Sequence, residues 1–460
     1  MKIKVLTEVS LAWFLAAFAA SASVFTNLYT FSADAFSGVP NAPATNADGA
    51  NPIAFVVSGG TIYGTTQFGG LNGDGAIFRM NTDGSHFTNL FNFNLGTYDS
   101  QRSIFLNSTG ETPNPGLVLV SNTLYGTTFQ GGKFDAGVVF KINTDGSDFS
   151  LITVFDYTNG AEPAFGLTLS SNAFYGATLN GTNTYGDFYK INLSDLGFSK
   201  LYQLESLIEP YGGVALSSNQ IYGIARYSSD LPNGFVYRLG TGGFVDLFDF
   251  NGTNGAGSYS TPIIDGNTIY GVTYQGGTNG SGNIFCIDLE GHNYTNLFSF
   301  PGQGGANMVG AYPYDYSGLL LSGNKLYGTA SVSGSGGQGA LFQINTDGTG
   351  YTVLHSFQFT DGGQPDQLFL DGGSLYGITF GGGQGASYGD GVVFDLILQP
   401  TLTISENGNQ AVLTWNDPSY SLFSAPTLTN TFTAVPGASN PYTNTISGAQ
   451  RFFLLRPNEL

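Results

Sequence analysis

The sequence predicts an all-β chain: a seven-bladed β-propeller over residues 23–399, closed by its own amino-terminal strand, and a small immunoglobulin- or fibronectin-like sandwich over 400–460. Three observations carry this reading. A Tyr-Gly pair after an apolar residue recurs at Tyr63, Tyr125, Tyr175, Tyr222, Tyr270, Tyr327 and Tyr376, spaced by 62, 50, 47, 48, 57 and 49 residues, the mark of a repeat architecture. Each repeat holds four short strand candidates. The last repeat stops after its third strand, and a spare copy of the fourth stands at the amino terminus.

Residues 1–22 read as an export leader. Lys2 and Lys4 give a basic start, Val9 to Ala20 is mostly apolar, and Ala20-Ser21-Ala22 offers small residues for cleavage. That stretch is short for a membrane span, which needs about 20 apolar residues.

The second repeat shows the strand pattern: Gly116–Val120, Thr123–Thr128, Gly137–Ile142 and Phe149–Phe155, apolar, β-branched and aromatic, with Gly, Asn, Asp and Ser between. Third and fourth strands meet through Asn-Thr-Asp-Gly at 81–84, 143–146 and 345–348, where Asp-Gly supplies a tight hairpin. One carboxylate per turn is too few for a calcium loop. The fourth-strand signature appears at Phe87–Phe93, Phe149–Phe155, Phe198–Leu204, Phe244–Phe250, Tyr294–Phe300 and Tyr351–Phe357, and its orphan copy at Phe25–Phe31. Pairing that copy beside residues 391–398 closes a ring and leaves no long sheet edge. Blades stacked face to face bury both strand faces, and the Gly after each Tyr admits a neighbouring backbone.

The motifs Leu-Tyr-Gly-Thr-Thr, Gly-Gly and Val-Phe-Lys-Ile-Asn-Thr-Asp-Gly resemble the GloVer-type tandem repeat of bacterial choice-of-anchor proteins over about residues 25–398. Unit four departs most, since Ile221-Tyr222-Gly223-Ile224-Ala225-Arg226 lacks the Thr pair and the Gly-Gly. The resemblance implies an exported or surface protein, often with a carboxy-terminal anchor. The chain ends at Pro457-Asn458-Glu459-Leu460 without a hydrophobic tail or sorting motif, and no catalytic residues carry over. From Pro400 a new pattern begins, with strands at Leu402–Ser405, Ala411–Trp415, Tyr420–Phe423 and Arg451–Leu455 around a core Trp415.

Composition narrows the function. A net charge of −19 disfavours nucleic acid and anionic lipid as partners. Cys286 is the lone cysteine, so no intramolecular disulfide forms, and it lies in an apolar strand. The three histidines form no ligand set, and no metal, cofactor or nucleophile motif occurs. Catalytic, metal and cofactor assignments are therefore none.

Connectivity predicts one face of tight turns and one of longer, variable links, where recognition belongs. Candidate ligand-binding residues there are Tyr98, Arg102, Gln130, Tyr185, Arg226, Tyr227, Tyr274, Gln275, Tyr314 and Tyr388, with Asp99, Tyr259, Tyr312 and Tyr316 beside them. Tyrosine with Asn and Gln suits sugars, by stacking and hydrogen bonding. Each such residue also has an ordinary reading as a loop anchor, and the propeller holds no Trp. Asp74, Asp135, Asp187 and Asp390 precede third strands at comparable positions, so carboxylates from separate blades can meet. The expected function is an exported, non-catalytic scaffold for extracellular recognition or adhesion, with glycan or protein as partner. A lectin-like propeller is the alternative, and a polysaccharide-acting enzyme the lesser one.

Overall fold

The computed structural model describes residues 4–6, 24–32, 44–301, 318–383 and 390–457, apart from 95, 100–103, 164, 184, 206–207, 209, 229, 332–335, 399–401, 408–409, 416–419, 428–430, 439 and 446–450. Apart from Lys4–Leu6, the expected leader lies outside them. Every regular element among the described residues is a β-strand.

Seven sheets share one antiparallel order, propeller-like in pattern. Unit one comprises Ala50–Ser58, Thr61–Phe68, Ala76–Asn81 and Thr88–Asn92, paired in sequence order. The second strands of later units are Thr123–Gln130, Ala173–Asn180, Gln220–Ala225, Thr268–Thr273, Lys325–Ala330 and Ser374–Gly381. Gly363–Asp371, Ser374–Gly381 and Val392–Ile397 are bordered by Val24–Thr30, the amino-terminal strand.

One backbone bond recurs in each unit. The residue ending the fourth strand donates its N–H to the carbonyl of the Gly before the third strand: Phe93 to Gly75, Phe155 to Gly137, Leu204 to Gly186, Phe250 to Gly234, Phe300 to Gly282 and Phe357 to Gly339, at 2.9 to 3.1 Å. Phe31 makes the same bond to Gly391, 3.1 Å. Phe31 and Gly391, 360 residues apart, thus reproduce a contact that the six other units make locally.

The Tyr-Gly glycine has a different reason from the one expected. It pairs across the sheet with an aromatic residue of its own unit's third strand, as Gly64 with Phe78, Gly126 with Phe140, Gly223 with Tyr237 and Gly271 with Phe285. The aromatic ring lies over the space a Cβ would fill, in all seven units. The close neighbour is thus chiefly a side-chain ring, and the expectation of an approaching backbone is corrected. A bulge aims that ring. In each of the first six units the third-to-fourth-strand register shifts just before the aromatic, as between Ile77 and Phe78 or Ile284 and Phe285.

The bulge sets one fourth-strand residue out of register with the third strand, namely Leu90, Ile152, Leu201, Leu247, Leu297 or Leu354. Three of these residues meet the next unit's hairpin glycine. Gly146 lies against Leu90, Gly291 against Leu247 and Gly348 against Leu297, with φ of 90°, 82° and 84°. Asp-Gly therefore serves both the turn and the unit-to-unit contact. Gly84 meets Leu28 of the amino-terminal strand in the same way.

Aromatic rings finish the packing. Phe31, Phe93, Phe155, Phe250, Phe300 and Phe357 are buried, each edge-on or tilted to the next unit's third-strand aromatic at 5.3 to 5.5 Å. Each such ring contributes about 1.5–3 kcal/mol by burial. Nearer the edge, Phe91 stacks on Phe149, Phe248 on Tyr294 and Phe298 on Tyr351, at 3.8, 4.4 and 4.0 Å. Tyr29 stacks on Phe87 at 4.1 Å in the same pattern.

The chain divides into two compact units, one of Asn27–Phe369 with Gly377–Phe394, and a second of Met1–Thr26, Leu370–Tyr376 and Asp395–Leu460. The latter contains a sheet of Leu402–Asn407, Gln410–Trp415 and Tyr442–Thr445. A second sheet there has the order Lys4–Leu6, Arg451–Pro457, Tyr420–Ala425 and Thr433–Ala434. Leu402, Ala411, Leu413, Trp415, Leu422 and Phe453 form its core, with Trp415 buried as expected.

Candidate functional site on the link face

The two kinds of connection differ in what holds them. In the tight turns the Asp carboxylate is engaged by its own hairpin: Asp83 accepts from Ser85 N and Oγ at 2.9 and 2.6 Å, Asp145 from Ser147 at 2.9 and 2.7 Å, and Asp347 from Thr349 at 2.9 and 2.6 Å. Those bonds hold the three carboxyls below the usual range. This is the chemistry of a turn cap.

The links follow a device that the sequence reading missed. Gly-x-x-Pro stands at 49–52, 110–113, 160–163 and 362–365. The residue before each proline, Asn51, Thr112, Glu162 or Gln364, has φ of 55–57°, a left-handed conformation uncommon for non-glycine residues. Its N–H donates to the preceding unit's second-to-third-strand link: Thr112 to Asp74 O (3.4 Å), Glu162 to Ala136 O (2.8 Å), Gln364 to Gln338 O (2.8 Å) and Asn51 to Asp390 O (2.7 Å). The entries of units two, three and seven are thus each stitched to the link before them, and unit one to the last link. The repeated Gly-x-x-Pro was the available signal.

This stitching gathers carboxylates over units one to three. Glu111 lies near Asp74 and Asp135, whose charges add to the burial that pushes its carboxyl up to about 7. Burial also raises Asp74 to about 7, and its Oδ2 has no donor among the described residues. Asn107 Nδ2 holds Glu111 at 3.2 Å, Gly131 N–H holds Asp135 at 2.9 Å, and Asn180 Nδ2 holds Glu162 at 2.7 Å. Burial likewise raises the carboxyls of Asp135 and Glu162, and such oxygens can accept sugar hydroxyls. Asp187, expected at an equivalent place, is fully buried and ion-paired to Lys200 at 2.8 Å, so it does not join them. Asp390 is buried, its backbone carbonyl committed to Asn51. Glu111 and Glu162 were not singled out from sequence.

A second cluster lies over units four and five. Arg226 follows the second strand of unit four, Tyr211 precedes its first strand, Tyr259 lies in the link to unit five, and Tyr274 follows that unit's second strand. The Arg226 guanidinium carbon lies 5.0 Å from the Tyr259 ring centroid and 5.8 Å from that of Tyr211. Tyr259 lies 5.6 Å from Tyr211 and 5.3 Å from Tyr274. All four side chains are partly exposed. Of the expected site residues, Arg226 and Tyr274 come together here, with Tyr259 between them.

The others are dispersed. Tyr185 packs against the buried core of units three and four. Gln130 and Gln275 are exposed, and Gln275 exchanges backbone bonds with Ala256 at 2.8 and 3.1 Å. Tyr227 is partly exposed. Tyr98 and Asp99 lie in a strand, Thr97–Asp99, that pairs with Ile104–Leu106. Arg102, Tyr312, Tyr314, Tyr316 and Tyr388 lie outside the described residues.

Several solved structures are similar to this chain at low identity. An oligogalacturonate lyase in complex with manganese is 11% identical with a TM-score of 0.49, over 82% of this chain and 97% of that one. The computationally designed Ika8 protein is 14% identical with a TM-score of 0.42, over 78% and 99%. The tricorn protease is 12% identical with a TM-score of 0.38, over 79% and 33%. No curated protein matches the chain. The model of the Gloeobacter/Verrucomicrobia repeat matches residues 28–209, which hold the first strand-and-turn motifs described above, and those residues accordingly carry repeats of that family.

Proposed function

We propose that residues 23–399 form a seven-bladed propeller closed by the amino-terminal strand, and that the chain is an exported, non-catalytic scaffold for recognition or adhesion at or outside the cell surface. Closure is supported by the Phe31 to Gly391 bond, which repeats the bond of six other units, and by the contacts of Tyr29 with Phe87 and Leu28 with Gly84. In this reading residues 1–22 are a leader and 400–460 a sandwich-like spacer. The function rests on one observation. Side chains of four separate links converge at Arg226, Tyr211, Tyr259 and Tyr274, whereas the repeat's recurrent residues are engaged in packing. Variable residues gathered on a rigid frame are the usual form of a recognition surface.

Carbohydrate binding is the second reading, favoured by those three tyrosines, since their rings offer apolar faces and polar tips. Glycan-array binding of the purified chain, alongside capture of envelope fractions, tests both. Silence on glycans with retained capture removes the second reading. Silence in both assays removes the first as well. Amino-terminal sequencing of exported protein should begin near residue 23, and an intact Met1 would refute the leader.

A further inference from the structure

We propose that the cluster of Arg226 with Tyr211, Tyr259 and Tyr274 is a subsite for a carboxylate-bearing sugar. The inference rests on the recognition reading above and names its ligand class. Repeat packing does not call for a cation at this place. Three residues after the Tyr-Gly glycine, the other units carry Gln67, Phe129, Leu179, Tyr274, Ser331 and Phe380. Arg226 stands there only in unit four, the unit that departs most from the repeat. By contrast Arg79, Lys141, Lys190 and Arg238 recur at one position of the third strand, where they pair with the tyrosines of Tyr-Gly. Arg238 is ion-paired to Glu290 at 2.9 Å.

The geometry selects the chemistry. A guanidinium beside two tyrosine rings keeps its N–H donors in its own plane, and its fork matches a carboxylate bidentately. With five donors it serves protein partners and a ligand together. The partly exposed rings of Tyr259, next to that fork, and of Tyr274, beside Tyr259, offer surfaces for pyranose C–H groups and phenols for hydroxyls. The supporting backbone is fixed: Gly257 N–H donates to Asn233 O at 2.7 Å, Tyr274 N–H to Gly257 O at 3.1 Å, and Leu231 N–H to Ser228 Oγ at 3.0 Å. Gly257, at φ 58°, leaves the space that the Tyr274 ring occupies. Preorganisation of this kind lowers the cost of binding. On a chain of net charge −19, repulsion grows with ligand charge, which favours a sugar with one carboxylate per residue over one with doubly charged phosphate monoesters.

The test is calorimetric titration of the full chain with trimannuronate and, separately, neutral cellotriose. Wild type should bind trimannuronate at least about tenfold more tightly than cellotriose. Arg226→Gln should lose about tenfold in trimannuronate affinity, and Arg226→Lys less, in line with the loss of one charge-assisted bidentate contact. Equal affinity for the two sugars, or an unchanged Arg226→Gln, overturns the proposal. A wild-type measurement guards against a variant that misfolds: trimannuronate should shield Arg226 from phenylglyoxal, read by peptide mass spectrometry, and no shielding overturns it. Binding of neutral glycans alone refutes this ligand class and leaves glycan recognition standing. Capture of envelope protein with no saccharide binding refutes the subsite and leaves the scaffold reading standing.

Discussion

Replacing Gly271 with Ala tests the packing rule behind the repeat. Gly271 lies outside the left-handed region, so its backbone accepts Ala without strain. Were space free, the change would stabilise by about 0.4–1 kcal/mol through the unfolded chain. Space is not free. The new Cβ would lie 2.5 Å from Phe285 Cζ and 2.8 Å from Ile224 Cδ1, well inside the usual carbon contact of about 3.5–4.0 Å. Phe285 cannot swing away, because it is fully buried and held by Phe250 at 5.3 Å and Tyr294 at 5.6 Å. Overpacking of this kind costs about 1–3 kcal/mol, which exceeds the entropic gain. Gly271→Ala should therefore lower the urea midpoint at an unchanged slope. In a Phe285→Leu background the ring is gone, and the same change should become neutral or stabilising, a coupling of about 1–2 kcal/mol. A Gly271→Ala chain as stable as wild type, or an equal loss in both backgrounds, refutes the reasoning.

Two further outcomes follow. Asp48 is buried and accepts from Tyr29 Oη at 2.8 Å, from Ser32 N at 3.0 Å and from Ser32 Oγ, so it latches the end of the amino-terminal strand. Asp48→Ala should cost about 1–3 kcal/mol by orphaning those donors, and deleting residues 24–31 should cost more or cause aggregation; urea midpoints equal to wild type would contradict closure. Asp74 and Glu111 carry carboxyls raised to about 7, so the folded state holds their protons more tightly than the unfolded chain. Their contribution to stability is full below about pH 4 and is lost as pH rises through 7. Asp74→Asn should thus stabilise the chain at pH 8 and flatten the slope of melting temperature between pH 6 and 8; an unchanged slope refutes the burial of Asp74.

The strands were legible because the same pattern occurs many times, so chance alternation in one segment is outvoted by the others. The orphan Phe25–Phe31 copy was legible for the same reason, as its Leu28, Tyr29 and Phe31 occupy the places of Leu90, Phe91 and Phe93. The role of the Tyr-Gly glycine was not legible. Its partner ring lies on another strand, 14 residues on for Gly64 and Phe78, and a bulge that no single residue announces turns the ring onto it. Link geometry was hidden for a related reason. A left-handed Asn51, Thr112, Glu162 or Gln364 violates residue preference, and neighbouring backbone contacts hold it there. Arg226 was visible because unit four breaks the pattern, while Glu111 and Glu162 were concealed inside a motif that reads as an ordinary turn.

The repeat separates positions that carry packing from positions free to vary, at the level of single residues. The Tyr-Gly glycine, its facing aromatic, the bulged Leu and the hairpin Gly each touch a neighbour in the same or the next unit, so a change at one position strains a contact that other units also make. Link positions such as Arg226 carry no such duty, since the equivalent place holds a Gln, a Phe or a Ser elsewhere. Natural variation at those places is then cheap for the fold and consequential for the ligand. On the recognition reading proposed above, a chain of this design changes its ligand by altering one unit's links while leaving the sheets intact, and unit four, with its missing Gly-Gly and its arginine, is where that reading places the change.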